Sequence, residues 1–327
     1  MFNLRKRLKR ESRSTVASPA PAPTAPEASV SVVIPLYNHV GFIAETLDSA
    51  IAQGTVLREI IVVDDGSTDN SLATAQSLAQ NDDRIVVWSQ PNQGAHVAIN
   101  HGIARATGEF IAILNSDDVY EPGRLDALAS LLAASRKSEL AASGLSFVDA
   151  QSRPIEDAWY EQAFARHDGE SDPSLALVNG NFLMTTSNFV FRRSLVERIG
   201  GFRNLRYAHD LDFLLRILAY SGAIEIDPRR LMRYRRHENN TINEQHAKVR
   251  VEWAVVSAIH LYESPSLSGE GLDPRRWASF QGVFAQHKLT DGVNLALARL
   301  HAAPLRGDAV SHLLADQAFL EALREFV

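Results

Sequence analysis

The chain has no cysteine among its 327 residues. That excludes thiolate nucleophiles, disulfide frameworks, thiolate zinc sites and iron–sulfur clusters. It also lacks any apolar run approaching the ~18 residues of a membrane-spanning helix. Its first residues hold no apolar core of the kind a secretory signal needs, so a cytoplasmic soluble protein is expected. There is no basic excess: 33 Lys and Arg face 39 Asp and Glu, a formal charge of −6, and no nucleic-acid partner is expected. No G-x-G-x-x-G follows the first apolar run, which argues against a dinucleotide-binding domain. What remains is ordinary for a globular chain, with 45% hydrophobic and 22% charged residues. The length suits one large domain, or one domain with an appendage, around a sizeable core.

Charge is strongly segregated. The first thirteen residues, MFNLRKRLKRESR, carry six Lys or Arg and one Glu, leaving −11 for the rest of the chain. Pro19, Pro21, Pro23 and Pro26 follow among alanines, a semi-rigid linker that cannot build a core. Residues 1–13, with Phe2, Leu4 and Leu8, suit either a solvated tail or a peripheral contact with an anionic inner membrane face. The expected division is 1–28 for this segment and linker, 29–242 for the main domain, and 243–327 for a helical C-terminal extension.

From Val30 onward, β-branched runs alternate with helix-period segments. The runs are VSVVIP (30–35), EIIVVDD (59–65), RIVVWS (84–89) and EFIAILNSDD (109–118), with a fifth strand expected over 140–149. Residues 41–53, 69–80, 95–106 and 121–135 have helical spacing. Continuous apolar strands alternating with helices imply an α/β domain, a mostly parallel Rossmann-like sheet with helices on both faces. Ligands then bind at the carboxyl ends of the strands. Past residue 150 the rhythm suits an α+β half, with strands at 188–192 and 230–236, a helix at 210–220, and helices from about 243; residues 274–327 read as helical throughout.

Polar residues gather at the strand ends. Pro35, Tyr37 and Asn38 close the first strand and Asp65 the second, where a ring and a carboxylate suit a base; Asp-Gly-Ser is also ordinary turn chemistry. Asp117 and Asp118 are adjacent carboxylates with no Lys or Arg nearby in sequence, suiting a divalent cation with a phosphate ligand or a solvated acidic loop. Asp210 falls in the first turn of a helix, where the macrodipole keeps a carboxylate ionised and fit to act as a base or as a simple cap. Arg233, Arg235, Arg236 and His237 combine guanidinium forks for a diphosphate with an imidazole for a metal, or form an exposed charged edge.

In their order, SVVIPLYNH, IIVVDDGSTDNS, NQGAHVAINHGIARATGEFIAILNSDD, TTSNFVFRRSLVERIGGF, HDLDFLLR and YRRHENNT resemble an inverting family 2 glycosyltransferase of the GT-A fold, over residues 29–240. The resemblance implies a nucleotide-sugar donor, probed first as a UDP-sugar, and a divalent cation, Mg²⁺ or Mn²⁺. It splits the domain into a nucleotide-sugar half (29–120) and an acceptor half (121–242). Pro35, Tyr37, Asn38 and Asp65 would serve the base. Asn92, Gly94 and Asn100 would lie under the donor sugar, and Arg236 would face the diphosphate. Asp117 would face the ribose or sugar and share the metal with Asp118, the main ligand, and with His237. Asp210 would be the general base.

Three departures stand out: Asn115 where many members have Asp, Ile99 where Arg is common, and His209 in place of Glu before the base. The implied acceptor is a saccharide or lipid-linked saccharide, in the setting of a cell-envelope polysaccharide. A sugar nucleotidyltransferase is disfavoured because residues 36–41 hold no Lys or Arg for a triphosphate. A non-catalytic scaffold of the same fold is the remaining alternative.

Overall fold

The computed structural model describes residues 29–238, 240, 246–302 and 308–327. The basic segment and linker of 1–28 and the boundary at 242/243 lie outside the described residues. All seven residues of β1 (Val30–Leu36) are buried, as are the last five of β2 (Leu57–Asp64). Strands covered on both faces have no polar side to show, which is why they read as unbroken apolar runs. Helices α1 (Ile43–Ile51), α2 (Ser71–Ala79) and α3 (Ala95–Arg105) connect them to β3 (Ile85–Ser89) and β4 (Phe110–Ile113). These four strands pair in parallel in the order β3-β2-β1-β4.

The winding therefore reverses between β1 and β4, and a crevice opens at their carboxyl ends. Pro35 marks where it opens. The β1–β4 ladder ends at Val33 opposite Ile113, with one last bond from the Leu114 N–H to the Val33 carbonyl at 3.0 Å. Two residues on, Pro35 faces the same side, where no N–H is needed.

The second half contains β5 (Val119–Tyr120), α4 (Arg124–Ala134), β6 (Leu140–Val148), β7 (Pro154–Ile155), α5 (Ala158–Asp168) and α6 (Pro173–Val178). It continues with β8 (Val190–Arg192), α7 (Leu195–Ile199), α8 (His209–Ser221) and β9 (Glu225–Arg235). The sheet runs on as β8-β6-β9-β5, with β8 antiparallel to both neighbours and β9 parallel to β6. Strand β9 begins five residues earlier than its sequence suggests, because Asp227-Pro228 reads as a turn. Register shifts on either side of Gly144 absorb the proline, and a Cβ at Gly144 would sit 2.9 Å from the Pro228 carbonyl oxygen.

Two apolar clusters cover the two faces. One packs α1 and α4 residues such as Leu47 and Leu128 against Val32 and Val62. The other packs Ile99, Phe189 and Phe213 against Val33 and Ile111 and runs on without a break into the C-terminal helices. Those are α9 (His246–Glu263), α10 (Pro274–Gln286), α11 (Thr290–Ala302), α12 (Ala309–Ala315) and α13 (Gln317–Arg324). The described residues of 274–327 are largely helical, as expected. Their apolar residues are continuous with the main core. No described helix is long and apolar enough to cross a membrane.

Candidate active site

At the end of β1, Tyr37 is 44% exposed, an open ring beside the crevice. Asn38 follows in the left-handed region (φ +52°). Its carboxamide oxygen accepts the Thr68 N–H at 2.8 Å, and its own N–H donates to Ser67 Oγ at 3.0 Å. Asn38 thus ties the β1 loop to the β2 loop. Asp65, buried at the end of β2, accepts the N–H groups of Gln93 (2.9 Å) and Gly94 (2.7 Å) and the Gln90 amide (2.8 Å). Gly94, at φ +95°, begins α3, and exposed Asn92 lies in the same loop. Asn100 is tied to Phe202: its amide donates to the Phe202 carbonyl at 2.7 Å and its oxygen accepts the Phe202 N–H at 2.8 Å. Ile99 is fully buried against β1, so no phosphate contact comes from that position.

The acidic loop is held by a dense network. The Asn115 backbone N–H donates to Ser187 Oγ, and its amide donates to Thr185 Oγ1 at 2.9 Å. Asp118 is 1% exposed; Oδ2 accepts from Ser187 Oγ at 2.6 Å and Oδ1 accepts the Arg235 N–H at 2.9 Å. Burial and the adjacent Asp117 charge push its carboxyl well above the ordinary range. Asp117 differs. Burial opposes its ionisation, but the His237 hydrogen bond and the nearby His39 hold its carboxyl below the usual value. His237 Nε2 lies 2.9 Å from Asp117 Oδ2, and His39 Nδ1 lies 2.8 Å from Ser116 Oγ.

His39, Asp117 and His237 each offer a ligand atom, all within 4.8 Å of one another. One carboxylate and two imidazoles form a donor set that a divalent cation fits. Such a mixed set suits Mn²⁺ better than Mg²⁺, which prefers oxygen and water. Asp118, expected as the main ligand, adjoins this group in sequence, and each of its oxygens accepts one hydrogen bond from the protein. Phe42 packs on the His237 ring with centroids 4.9 Å apart, limiting its rotation.

The three arginines of Arg233-Tyr234-Arg235-Arg236 each pair with a carboxylate. Arg235 is buried; it donates to the Asp117 carbonyl (2.7 Å) and to Glu45 Oε2 (2.6 Å). Arg233 pairs with Glu121 at 2.9 Å. Arg236, expected at the diphosphate, pairs with Asp157 at 2.5 Å.

Across the crevice, Asp210 stands in the first turn of α8. Oδ2 accepts from the Asn181 amide at 2.8 Å, and Oδ1 accepts the Leu211 N–H at 2.7 Å. Desolvation raises its pKa to about 7 despite these donors, and the Glu252 charge adds to the rise. Burial thus works against the helix dipole and poises the group near neutrality. Glu252, on α9, accepts three successive N–H groups, from Arg206 (3.0 Å), Tyr207 (2.7 Å) and Ala208 (2.9 Å), just before α8 begins. Tyr234 links the two sides. Burial and the charges of Asp118, Asp117 and Asp210 all oppose ionisation of its phenol.

Sequence reasoning missed His39, Asn181 and Glu252. His39 directly follows the quoted Tyr37-Asn38 pair, so it was within reach. Asn181 and Glu252 lie in segments with no motif.

Residues 31–200 match the description "Glycosyl transferase family 2". An uncharacterized glycosyltransferase of Rickettsia typhi is 31% identical over 221 residues, 65% of this chain and 66% of that protein, just short of two thirds of its length. Among solved structures, S. aureus TarS 1-349 in complex with UDP-GlcNAc superposes with a TM-score of 0.55 at 18% identity, over 90% of this chain and 89% of that one. The mannosyltransferase PcManGT from Pyrobaculum calidifontis, in complex with GDP-Man and Mn²⁺, gives 0.56 at 20% identity, over 93% and 83%. At these identities the two structures establish the fold, GT-A, while the match over more than half of the sequence establishes descent. The chain belongs to glycosyl transferase family 2.

Proposed function

We propose that the protein transfers a sugar from a nucleoside-diphosphate donor to an acceptor hydroxyl with inversion at the anomeric carbon. The observation that carries this is the pairing of a His39–Asp117–His237 ligand group with a buried carboxylate of near-neutral pKa on the facing side. Asp65 and Tyr37 line the base end, and the C-terminal edge of the parallel strands is where such sheets bind nucleotides. Asp117, His237 and His39 would hold the cation, with Asp118 and Arg235 fixing the loop beneath them. A bound cation there supplies charge neutralisation for the departing diphosphate.

Asp210 accepts the proton of the acceptor hydroxyl as that oxygen forms its bond to C1 and the C1–O bond to the diphosphate breaks. Its pKa of about 7 suits the task, because a base near the working pH is both deprotonated and basic enough to take the proton. Asn181 orients the carboxylate through its hydrogen bond. Relatives in complex with UDP-GlcNAc or GDP-Man make these the first donors to try. A saccharide or lipid-linked saccharide is the acceptor class, and work at the inner membrane face through residues 1–13 belongs to the same reading.

Thermal unfolding with UDP, GDP, TDP and CDP, each with and without Mn²⁺, tests it. One nucleotide at 100 times its dissociation constant should add about 2.7 kcal/mol of stability, in a metal-dependent way. Cooperative unfolding with no shift from any nucleotide would count against donor binding.

A further inference from the structure

We propose that the indole of Trp159, on α5, is the platform on which an acceptor saccharide stacks beside Asp210; this rests on the glycosyl-transfer reading above. Trp159 is 46% exposed, although a ring of that size is ordinarily mostly buried. Two other exposed aromatics already have a face covered. Arg105 lies 4.5 Å above the Trp88 ring, and Arg198 lies 5.8 Å from that of Tyr220. Among the described residues, no guanidinium or ring stacks on Trp159.

Its position is set from two sides of the crevice. Asp157 caps α5 by accepting the Tyr160 N–H at 2.9 Å, and its second oxygen pairs with Arg236, the residue before His237. On the other side the ring edge lies against Gly180, where an added Cβ would come within 3.2 Å of Cζ2. Gly180 directly precedes Asn181, whose amide bonds to Asp210. Trp159 is thus tied through Asp157 to the strand end bearing His237, and its ring lies against the residue preceding the one that holds the base.

The chemistry fits a pyranose. Its axial C–H face stacks on an indole while its hydroxyls stay in water, leaving one of them free for Asp210. A nucleobase is served by Tyr37 on the donor side, so the two open rings divide the ligands.

Saturation-transfer NMR on the full chain with Mn²⁺ and UDP or GDP tests this, using methyl glycosides of glucose, mannose and N-acetylglucosamine as probes. Wild type, Trp159→Phe and Trp159→Ala are compared. At least one glycoside should bind the wild type, with saturation strongest on its ring C–H protons. Trp159→Ala should weaken that binding about tenfold, with Trp159→Phe intermediate. Nucleoside diphosphate binding should be equal in all three. Undiminished glycoside binding in Trp159→Ala, no glycoside binding to the wild type, or a loss of nucleotide binding in Trp159→Ala would each overturn the platform. Failure of the wild type to bind any nucleoside diphosphate would instead strike the donor-side reading, whatever the glycosides do.

Discussion

The two sides of the crevice surround their carboxylates with different partners. On the donor side, Asp117 and Asp118 lie in a network in which Ser187, Arg235 and His237 each supply a hydrogen bond. On the acceptor side, buried Asp210 has one side-chain donor, Asn181, and one backbone donor, the Leu211 N–H, with the Glu252 charge nearby. A loop that must hold a cation gains from rigidity and from a low carboxyl pKa at the ligand. A group that must take a proton and later release it gains from desolvation. Burial is common to both sides; the imidazoles of His237 and His39 set Asp117 apart, holding its carboxyl low while burial raises Asp118 and Asp210.

The largest expected effect comes from removing either function. Asp210→Asn should lower the transfer rate by about 10²–10⁴-fold, the usual worth of a general base, with cooperative unfolding retained. Nearly unchanged turnover would place the base elsewhere. Next is the scaffold of the acidic loop. Arg235→Met removes the side-chain donor to the Asp117 carbonyl and the shortest of those to Glu45, and should cost about 2–4 kcal/mol in chemical denaturation. A cost below about 0.5 kcal/mol would show that the network does not hold the loop.

The comparison sharpens further in the pH dependence. Asp210 works deprotonated, so the rate should rise with pH through about 7. Asn181 donates to the charged form and so lowers the pKa; Asn181→Ala should move the acid limb to higher pH. Glu252 disfavours a second negative charge; Glu252→Gln should move the limb to lower pH. Shifts of the same sign in both variants would contradict the assignment. The smallest effect is expected at Asn100. Asn100→Ala removes the two bonds to Phe202 and should cost about 1–2 kcal/mol of stability, while nucleotide affinity is unchanged.

The parallel half was legible because its strands are buried on both faces, which writes continuous apolar runs into the sequence. The ordered motifs likewise placed Asp65, Asp117, Asp210 and His237 at the strand ends and helix starts they occupy. Side-chain bookkeeping was less legible. Asn38, Asn100 and Arg236 have the chemistry of ligand contacts, yet each is engaged by a partner at least 29 residues away in sequence. Nothing local announces such partners. The early start of β9 was hidden for a related reason: Asp227-Pro228 has turn chemistry, and only the Gly144 bulge on the neighbouring strand admits it. The role of the C-terminal helices was invisible because Glu252 lies in a helix with no motif and acts on backbone groups of another segment.

The division of labour is tested most directly by Mn²⁺ titration followed by electron paramagnetic resonance, comparing Asp117→Asn, Asp118→Asn and Asp210→Asn with the wild type. The geometry predicts one site in the wild type, loss of it in Asp117→Asn and its retention in Asp210→Asn. Asp118→Asn should weaken it less than Asp117→Asn. Undiminished Mn²⁺ binding in Asp117→Asn, or its loss in Asp210→Asn, would contradict the separation of a cation side from a proton-accepting side.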